Sequence, residues 1–174
     1  GKFPVVLIAP DDTDLVREGS EERRRFFDSI ISQINRSYLD ALIQYNYALR
    51  QRNSLLKMFA DAPAPDVVAI EAYDHELVRA GTVIHQARKV FLERFIPVFR
   101  NYYQLLVGNE HVDLAYQSEI SSVDYTKGMA QNRQRDLYLQ RTNFGIHRDD
   151  YPFALNDGEL KRFGSQGQQK SFII

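Results

Sequence analysis

The chain has 174 residues, 44% of them apolar and 12% aromatic, and a formal net charge of −1. That is enough for one domain, or one and part of another, with a packed core, and it argues against disorder. The absence of Cys excludes disulfides and thiolate metal sites and is compatible with a reducing compartment. The near-zero charge leaves any nucleic-acid contact to a local patch or to polypeptide outside these residues.

Phe3 to Ala9 is a continuous apolar, β-branched run that ends at Pro10, the pattern of a strand buried on both faces. No signal peptide is expected, because this run is short and meets acids at once. No stretch reaches the roughly 18 apolar residues that span a bilayer. Asp11-Asp12-Thr13-Asp14 follows as a loop. Its carboxylates read as solvated turn acids in preference to a metal site, since nothing nearby completes a ligand set.

Ser20 is placed to cap a helix with Glu21 and Glu22 in its first turn, where acids favour the dipole. From there Phe27, Ile31, Ile34, Tyr38, Leu42, Tyr45, Leu49, Leu56 and Phe59 recur at steps of three and four, with a gap around Arg52. The spacing predicts one helix of about 40 residues, roughly 60 Å long. Asp61-Ala62-Pro63-Ala64-Pro65-Asp66 breaks it. A second stripe then runs through Ile70, Tyr73, Leu77, Ala80, Ile84, Ala87, Phe91, Phe95, Val98, Tyr102 and Leu105. Two long striped helices joined by a tight turn must lie antiparallel, so 20–107 reads as a coiled-coil hairpin arm with its tip near 60–66. Pro97 is expected to kink the second helix. The stripes are a packing seam, and Arg36, Arg50, Arg52, Lys57, Arg88 and Lys89 read as a solvated face.

Gly108-Asn109-Glu110 ends the arm, and Val112 to Tyr116 alternates as a strand with one polar face. Thr126 to Arg141 is a shorter helix, capped by Asp124 or Thr126. It is the most basic element, with Lys127, Arg133, Arg135 and Arg141. Lys127, Arg133 and Arg135 are the candidates for DNA contact, against the plainer reading of a surface helix. The segment Gly145-Ile146-His147-Arg148-Asp149-Asp150 invites comparison with a kinase catalytic loop, but no Asp-Phe-Gly follows and no nucleophile elbow exists for a hydrolase. Tyr151 to Phe163 reads as a β-hairpin turning at Asp157-Gly158. It delivers the chain to Ser165-Gln166-Gly167-Gln168-Gln169, a capped helix start whose free N–H groups and dipole suit an anion, although from the residues alone an ordinary capped helix is the preferred reading.

There is no G-x-x-x-x-G-K-[ST] phosphate loop and no apolar strand ending in an Asp-Glu pair. Together with an apolar strand at the start and an apolar run at the end, this leads us to expect a piece of a larger protein.

Three blocks resemble the bacterial RecF family, relatives of SMC and ABC-type ATPases. The first is Pro10-Asp11-Asp12 with Leu15 to Ser20 and Arg23-Arg24-Arg25-Phe26-Phe27-Asp28. The second is Gly145 to Asp150, with Ile146 where the family usually has Pro. The third is Phe163 to Lys170, with Lys170 where the family usually has Arg. The resemblance implies a mainly α fold with a small β part: the hairpin arm plus part of an ABC/SMC-like P-loop ATPase head, in a central fragment without Walker A and Walker B. It divides the chain into head residues 1–19, arm 20–107 and head residues 108–174. It makes Ser165, Gln166, Gly167, Gln168 and Gln169 the ABC signature motif, which meets the γ-phosphate of ATP held by a second subunit. Lys170 keeps the charge there but loses the planar fork.

By the same resemblance the full-length parent would use ATP and Mg²⁺ and form an ATP-dependent homodimer. It would bind duplex DNA at junctions with single strands and work with RecR and RecO to load RecA in the cytoplasm. The parent would be a weak DNA-dependent ATPase, and the fragment alone inactive, with no catalytic residue, no metal and no bound cofactor. The alternative is a coiled-coil interaction module without a nucleotide role. A third reading, a metal-dependent nuclease at Asp11-Asp12 and Asp149-Asp150, lacks any spacing that joins those pairs.

Overall fold

The computed structural model describes residues 19–60, 62–108, 110–156 and 158–159. The strand expected at Phe3–Ala9, the Asp11–Asp14 loop and the Ser165–Gln169 motif lie outside the described residues. The elements are α1 Ser20–Ile34, α2 Arg36–Met58, α3 Val67–Val107, β1 Val112–Leu114, α4 Tyr125–Leu139, β2 Phe153–Leu155 and β3 Gly158–Glu159. Among the described residues no helix is long and apolar enough to cross a membrane.

The helix predicted to run unbroken from Ser20 is two helices. Asn35 takes an extended backbone (φ −135°, ψ 102°), and its side-chain oxygen accepts from the Tyr38 N–H at 3.0 Å. A short amide side chain competes with the backbone for its own hydrogen bonds, so Asn35 starts a new helix in the middle of the apolar stripe. The stripe continues in phase across the break, which is why spacing alone did not show it.

The chain folds as two compact units: residues 1–34, 88–117 and 150–174 in one, and 35–87 and 118–149 in the other. Both the 34/35 and the 87/88 boundaries fall inside the stretch read as an arm.

In the first unit α1 lies against the C-terminal half of α3. The Phe27 ring meets Phe91 at 6.3 Å, Phe95 at 6.0 Å and Tyr151 at 4.4 Å. Arg88, expected on the solvated face, is 1% exposed: it donates to Asp28 at 2.8 Å and lies 5.9 Å over the Tyr151 ring. A paired guanidinium stacked on an aromatic face is the form in which Arg tolerates burial. Helix α3 runs on across Pro97 to Val107, and Gly108, at φ 85°, ends it by donating to the Gln104 carbonyl at 3.0 Å.

The small sheet belongs to this unit, in the order β1-β2-β3 and antiparallel throughout. Val112 pairs with Leu155 and Leu114 with Phe153, and all four side chains are buried. The expected hairpin forms, but Leu155 pairs directly with Gly158, so Gly158 opens β3. Asn156 takes the positive φ of 47°, one residue before the predicted Asp-Gly turn; Asn tolerates the left-handed region better than other non-Gly residues.

In the second unit α2 and the N-terminal half of α3 form an antiparallel hairpin. Gln44 meets Arg79 and Arg52 meets Asp74, so contacts climb one helix as they descend the other. Pro63 and Pro65 occupy the connection, and Asp66 caps α3 by accepting from the Ala69 N–H at 3.0 Å. Tyr38, Tyr45, Leu56, Ile70, Leu77 and Ile84 form the buried seam. Helix α4 starts at the predicted cap: Asp124 accepts from the Lys127 N–H at 2.8 Å.

Candidate functional site

Helix α4 carries the residues singled out for DNA contact. Lys127 and Arg135 are exposed, whereas Arg133 turns inward, 2.9 Å from Glu71 and 3.2 Å from Asp74. The structure therefore does not present the three cations alike: two are solvated and one fastens α4 to α3. Between those helices a cavity of about 380 Å³ is lined by Glu71, Asp74, His75, Val78, Met129 and Arg133, among others.

The anchor of α4 goes deeper. Arg52 has no exposed surface. Its Nε donates to Asp74 at 2.5 Å, and a terminal nitrogen donates to Asp136 at 2.8 Å and to the Thr142 hydroxyl at 2.9 Å; the other terminal nitrogen is buried without a partner among the described residues. Asp136, also fully buried, accepts from the Asn143 backbone N–H at 2.9 Å and its side-chain amide at 3.0 Å. Asn53 accepts from the Thr142 N–H and hydroxyl, both at 2.8 Å. This network ties α2, α3, α4 and the 142–143 turn together. Reading Arg52 as solvated is corrected: it stands between Leu49 and Leu56 at seam spacing, and the gap in the stripe was the signal.

The segment after that turn is held by a relay of hydroxyls. His147 Nε2 lies 3.1 Å from the Thr142 carbonyl, which only accepts, so that nitrogen carries the proton. In the neutral ring Nδ1 is then an acceptor for the Tyr45 hydroxyl at 2.7 Å, which leaves Tyr45 to accept from the Tyr125 hydroxyl at 3.2 Å. Burial, reinforced by the neighbouring Tyr125, raises the Tyr45 pKa well above its ordinary value, so it remains a proton donor. Gly145, at φ 131°, leaves room for the relay: a Cβ there would lie 2.6 Å from the Tyr125 oxygen and 2.7 Å from that of Tyr45. Gly81 makes the same allowance from α3, where a Cβ would meet Tyr125 at 2.6 Å.

Asp150, which belongs to the first unit, accepts from Arg23 Nε at 2.8 Å and from a terminal Arg23 nitrogen at 3.0 Å, a two-point carboxylate–guanidinium pair. It also accepts from the Tyr151 N–H at 2.7 Å, and its backbone exchanges two 2.9 Å hydrogen bonds with Gln117. Asp150 is thus engaged in joining α1 to the start of the hairpin. Asp149 is 2% exposed. Among the described residues no group of three or more His, Asp or Glu side chains is placed to hold a metal ion.

The first two blocks of the RecF resemblance therefore meet at the Arg23–Asp150 pair, and Phe27 of the first packs on Tyr151, the residue after the second. Comparison with known proteins bears on the same point. Along its whole length the chain is 46% identical to the DNA replication and repair protein RecF of Cytophaga hutchinsonii and 45% identical to that of Flavobacterium johnsoniae. From end to end the chain is similar to RecF proteins. It spans about half the length of these relatives, 46% and 49% respectively. Among solved structures, the recombination mediator protein RecF-ATP in the RecFOR pathway superposes with a TM-score of 0.89 at 27% identity, over 99% of this chain and 48% of that one. The corresponding RecF-ATPrS structure gives 0.87 at 26% identity, over 95% and 47%. No family model matches the chain. The mainly α architecture with its small sheet is thus one shared with these RecF structures.

Proposed function

We propose that these 174 residues are the arm and adjoining head segment of a RecF-like protein of DNA replication and repair, one that acts as an ATP-dependent DNA clamp. The observation that carries this reading is the end-to-end similarity to RecF, at 46% identity over the full chain. The meeting of Arg23 with Asp150 supports it, because residues of two separate blocks serve one bond.

In this reading the longer protein holds ATP and Mg²⁺ on a phosphate loop and an acidic strand end outside this chain. Ser165, Gln166, Gly167, Gln168 and Gln169 complete the nucleotide site of a second subunit, where a capped helix start with a Gly supplies N–H donors to phosphate oxygens. Each nucleotide then needs both subunits, which couples ATP to dimerisation. The dimer would hold duplex DNA at a junction with a single strand in the cytoplasm and cooperate with RecR and RecO to load RecA. The 174 residues alone would neither hydrolyse ATP nor bind it tightly.

Ser165→Arg in the full-length protein tests the signature role. We expect ATP-dependent dimerisation and DNA retention to weaken at least tenfold with the fold intact by circular dichroism; unchanged retention would sink the assignment. DNA contact is tested separately with Lys127→Ala and Arg135→Ala together, leaving Arg133 in its structural pairs. If both touch phosphate, the slope of log affinity against log salt falls by about 2.

A further inference from the structure

Within the Gly145–Asp150 block every residue but Arg148 is used inside the fold. Gly145 makes room for the hydroxyl relay, Ile146 is buried, His147 holds Tyr45, Asp149 is buried and Asp150 pairs with Arg23. Arg148 is exposed, and among the described residues its side chain has no hydrogen bond or ion pair. Its backbone, by contrast, is fixed from both sides. The Ile146–Arg148 turn is closed by the Arg148 N–H on the Gly145 carbonyl at 2.9 Å and by the Asp149 N–H on the Ile146 carbonyl at 3.3 Å. His147, one residue back, is clamped between the Tyr45 hydroxyl at 2.7 Å and the Thr142 carbonyl at 3.1 Å. A buried polar network is costly to assemble, and what this one holds out to solvent is a guanidinium at a set position.

The same segment is seated on the first turn of α4: Phe144 fills the space beside Gly128, and Gly145 lies against Tyr125. That turn carries Lys127, also exposed and without a side-chain partner among the described residues. Glu119, on the Glu119–Ser121 turn that lies against Ile146–Arg148, pairs with neither cation. A guanidinium offers N–H donors in a fixed fork that matches two oxygens of a phosphate, and an uncompensated one keeps its full charge for that partner. We infer that Arg148 is a phosphate-binding residue, held in position by the hydroxyl relay, with Lys127 on the adjoining turn. This role rests on the reading of the chain as part of a RecF-like, DNA-binding protein. Phosphate can reach Arg148 from a DNA backbone or from a nucleotide. Lys127, already a candidate for DNA contact, makes the backbone the expected source.

The test uses the full-length protein as parent, Arg148→Ala and Arg50→Ala. Arg50, exposed and unpaired on α2, is the control cation. Each protein is titrated, with ATP, onto a fluorescent duplex bearing a single-stranded overhang at a series of potassium chloride concentrations, and separately with a fluorescent ATP analogue. Arg148→Ala should melt with the parent, bind DNA about fivefold more weakly at low salt, and lower the slope of log affinity against log salt by about 1. Its nucleotide affinity and both affinities of Arg50→Ala should match the parent. A loss of nucleotide affinity with the DNA slope intact would keep the phosphate role and give it to the nucleotide. No change in either, or an equal change in Arg50→Ala, would overturn the inference. Tyr45→Phe, which removes the relay's bond to His147, should weaken phosphate binding in the parent and add nothing to Arg148→Ala; additive losses would overturn the relay's part. A parent that binds neither DNA nor nucleotide would remove the functional reading, and this role with it.

Discussion

The core around Phe27 is built of rings, with Tyr151 at 4.4 Å, Phe95 at 6.0 Å and Phe91 at 6.3 Å, and its charged neighbour Arg88 keeps one carboxylate partner in Asp28. The core around Arg52 is built of charge and amides: Asp74, Asp136, Thr142, Asn53 and Asn143 share hydrogen bonds around a guanidinium with no exposed surface. Rings attract through area and shape, so neighbouring solutions lie close in energy. A buried guanidinium between two carboxylates has few acceptable arrangements, because any displaced partner is left charged and dry. The second unit thus adds a buried network of directional bonds to its apolar seam, whereas the core around Phe27 relies on contact area.

The sharpest way to break that contrast is to delete one partner from each core. Arg52→Met keeps much of the volume but leaves the buried Asp136 without its cation and Asp74 with Arg133 alone, and we expect it to lose about 3–5 kcal/mol. Phe27→Leu should lose about 1–2 kcal/mol, since the site stays apolar and only ring contacts go. Urea unfolding of both variants measures the difference, and equal losses would erase the distinction.

Within the second unit the hydroxyl relay is tested by Gly145→Ala. The new methyl group must displace Tyr45 or Tyr125 at a φ of 131°, for an expected cost of about 1–3 kcal/mol. A melting temperature equal to that of the parent would mean that the relay tolerates the crowding. The cap of α4 is a smaller, local term. Asp124→Ala removes the acceptor of the Lys127 N–H and should cost about 1 kcal/mol, with the loss of hydrogen-exchange protection confined to the first turn of α4.

The smallest effect belongs to a surface pair of the first unit. Partial burial pushes the Asp113 carboxyl up, but the hydrogen bonds from Arg100, at 2.7 Å, and from the Leu114 N–H, together with the Arg100 charge, outweigh it and hold the group below the usual 3.8. A depressed carboxyl stabilises the fold above its unfolded pKa, and that contribution fades as pH falls through the folded value. Because the pair is about 40% exposed (44% and 41%), Arg100→Gln should cost only a few tenths of a kcal/mol at neutral pH. The difference from the parent should vanish in acid once the pH falls below the folded-state pKa of Asp113. A difference that persists there in denaturant titrations would assign it to packing of the Arg100 stem.

Much of the architecture was legible from residue spacing. Three- and four-residue steps announced the helices, Pro63 and Pro65 the turn, Gly108 the end of α3, Asp124 the cap of α4, and the alternation from Val112 the strand β1. The break at Asn35 was not, because the apolar stripe keeps its phase across it and a single side-chain cap decides the matter. The roles within the Gly145–Asp150 block were equally opaque. His147 finds Tyr45 and Asp150 finds Arg23, partners separated by 102 and 127 positions, and no local pattern encodes such a pairing.

By itself, then, the sequence determined which segments are helical, where they turn, and, through its three blocks, the likeness to RecF, because each of these is written in local propensity, periodicity or motif. Only the tertiary structure decided which cations are solvated and which are buried. Arg88 and Arg133 look in sequence like Arg36, Arg50 and Arg135, and what separates them is a carboxylate brought near from a distant part of the chain. Burial of charge depends on that partner, and chain folding alone supplies it.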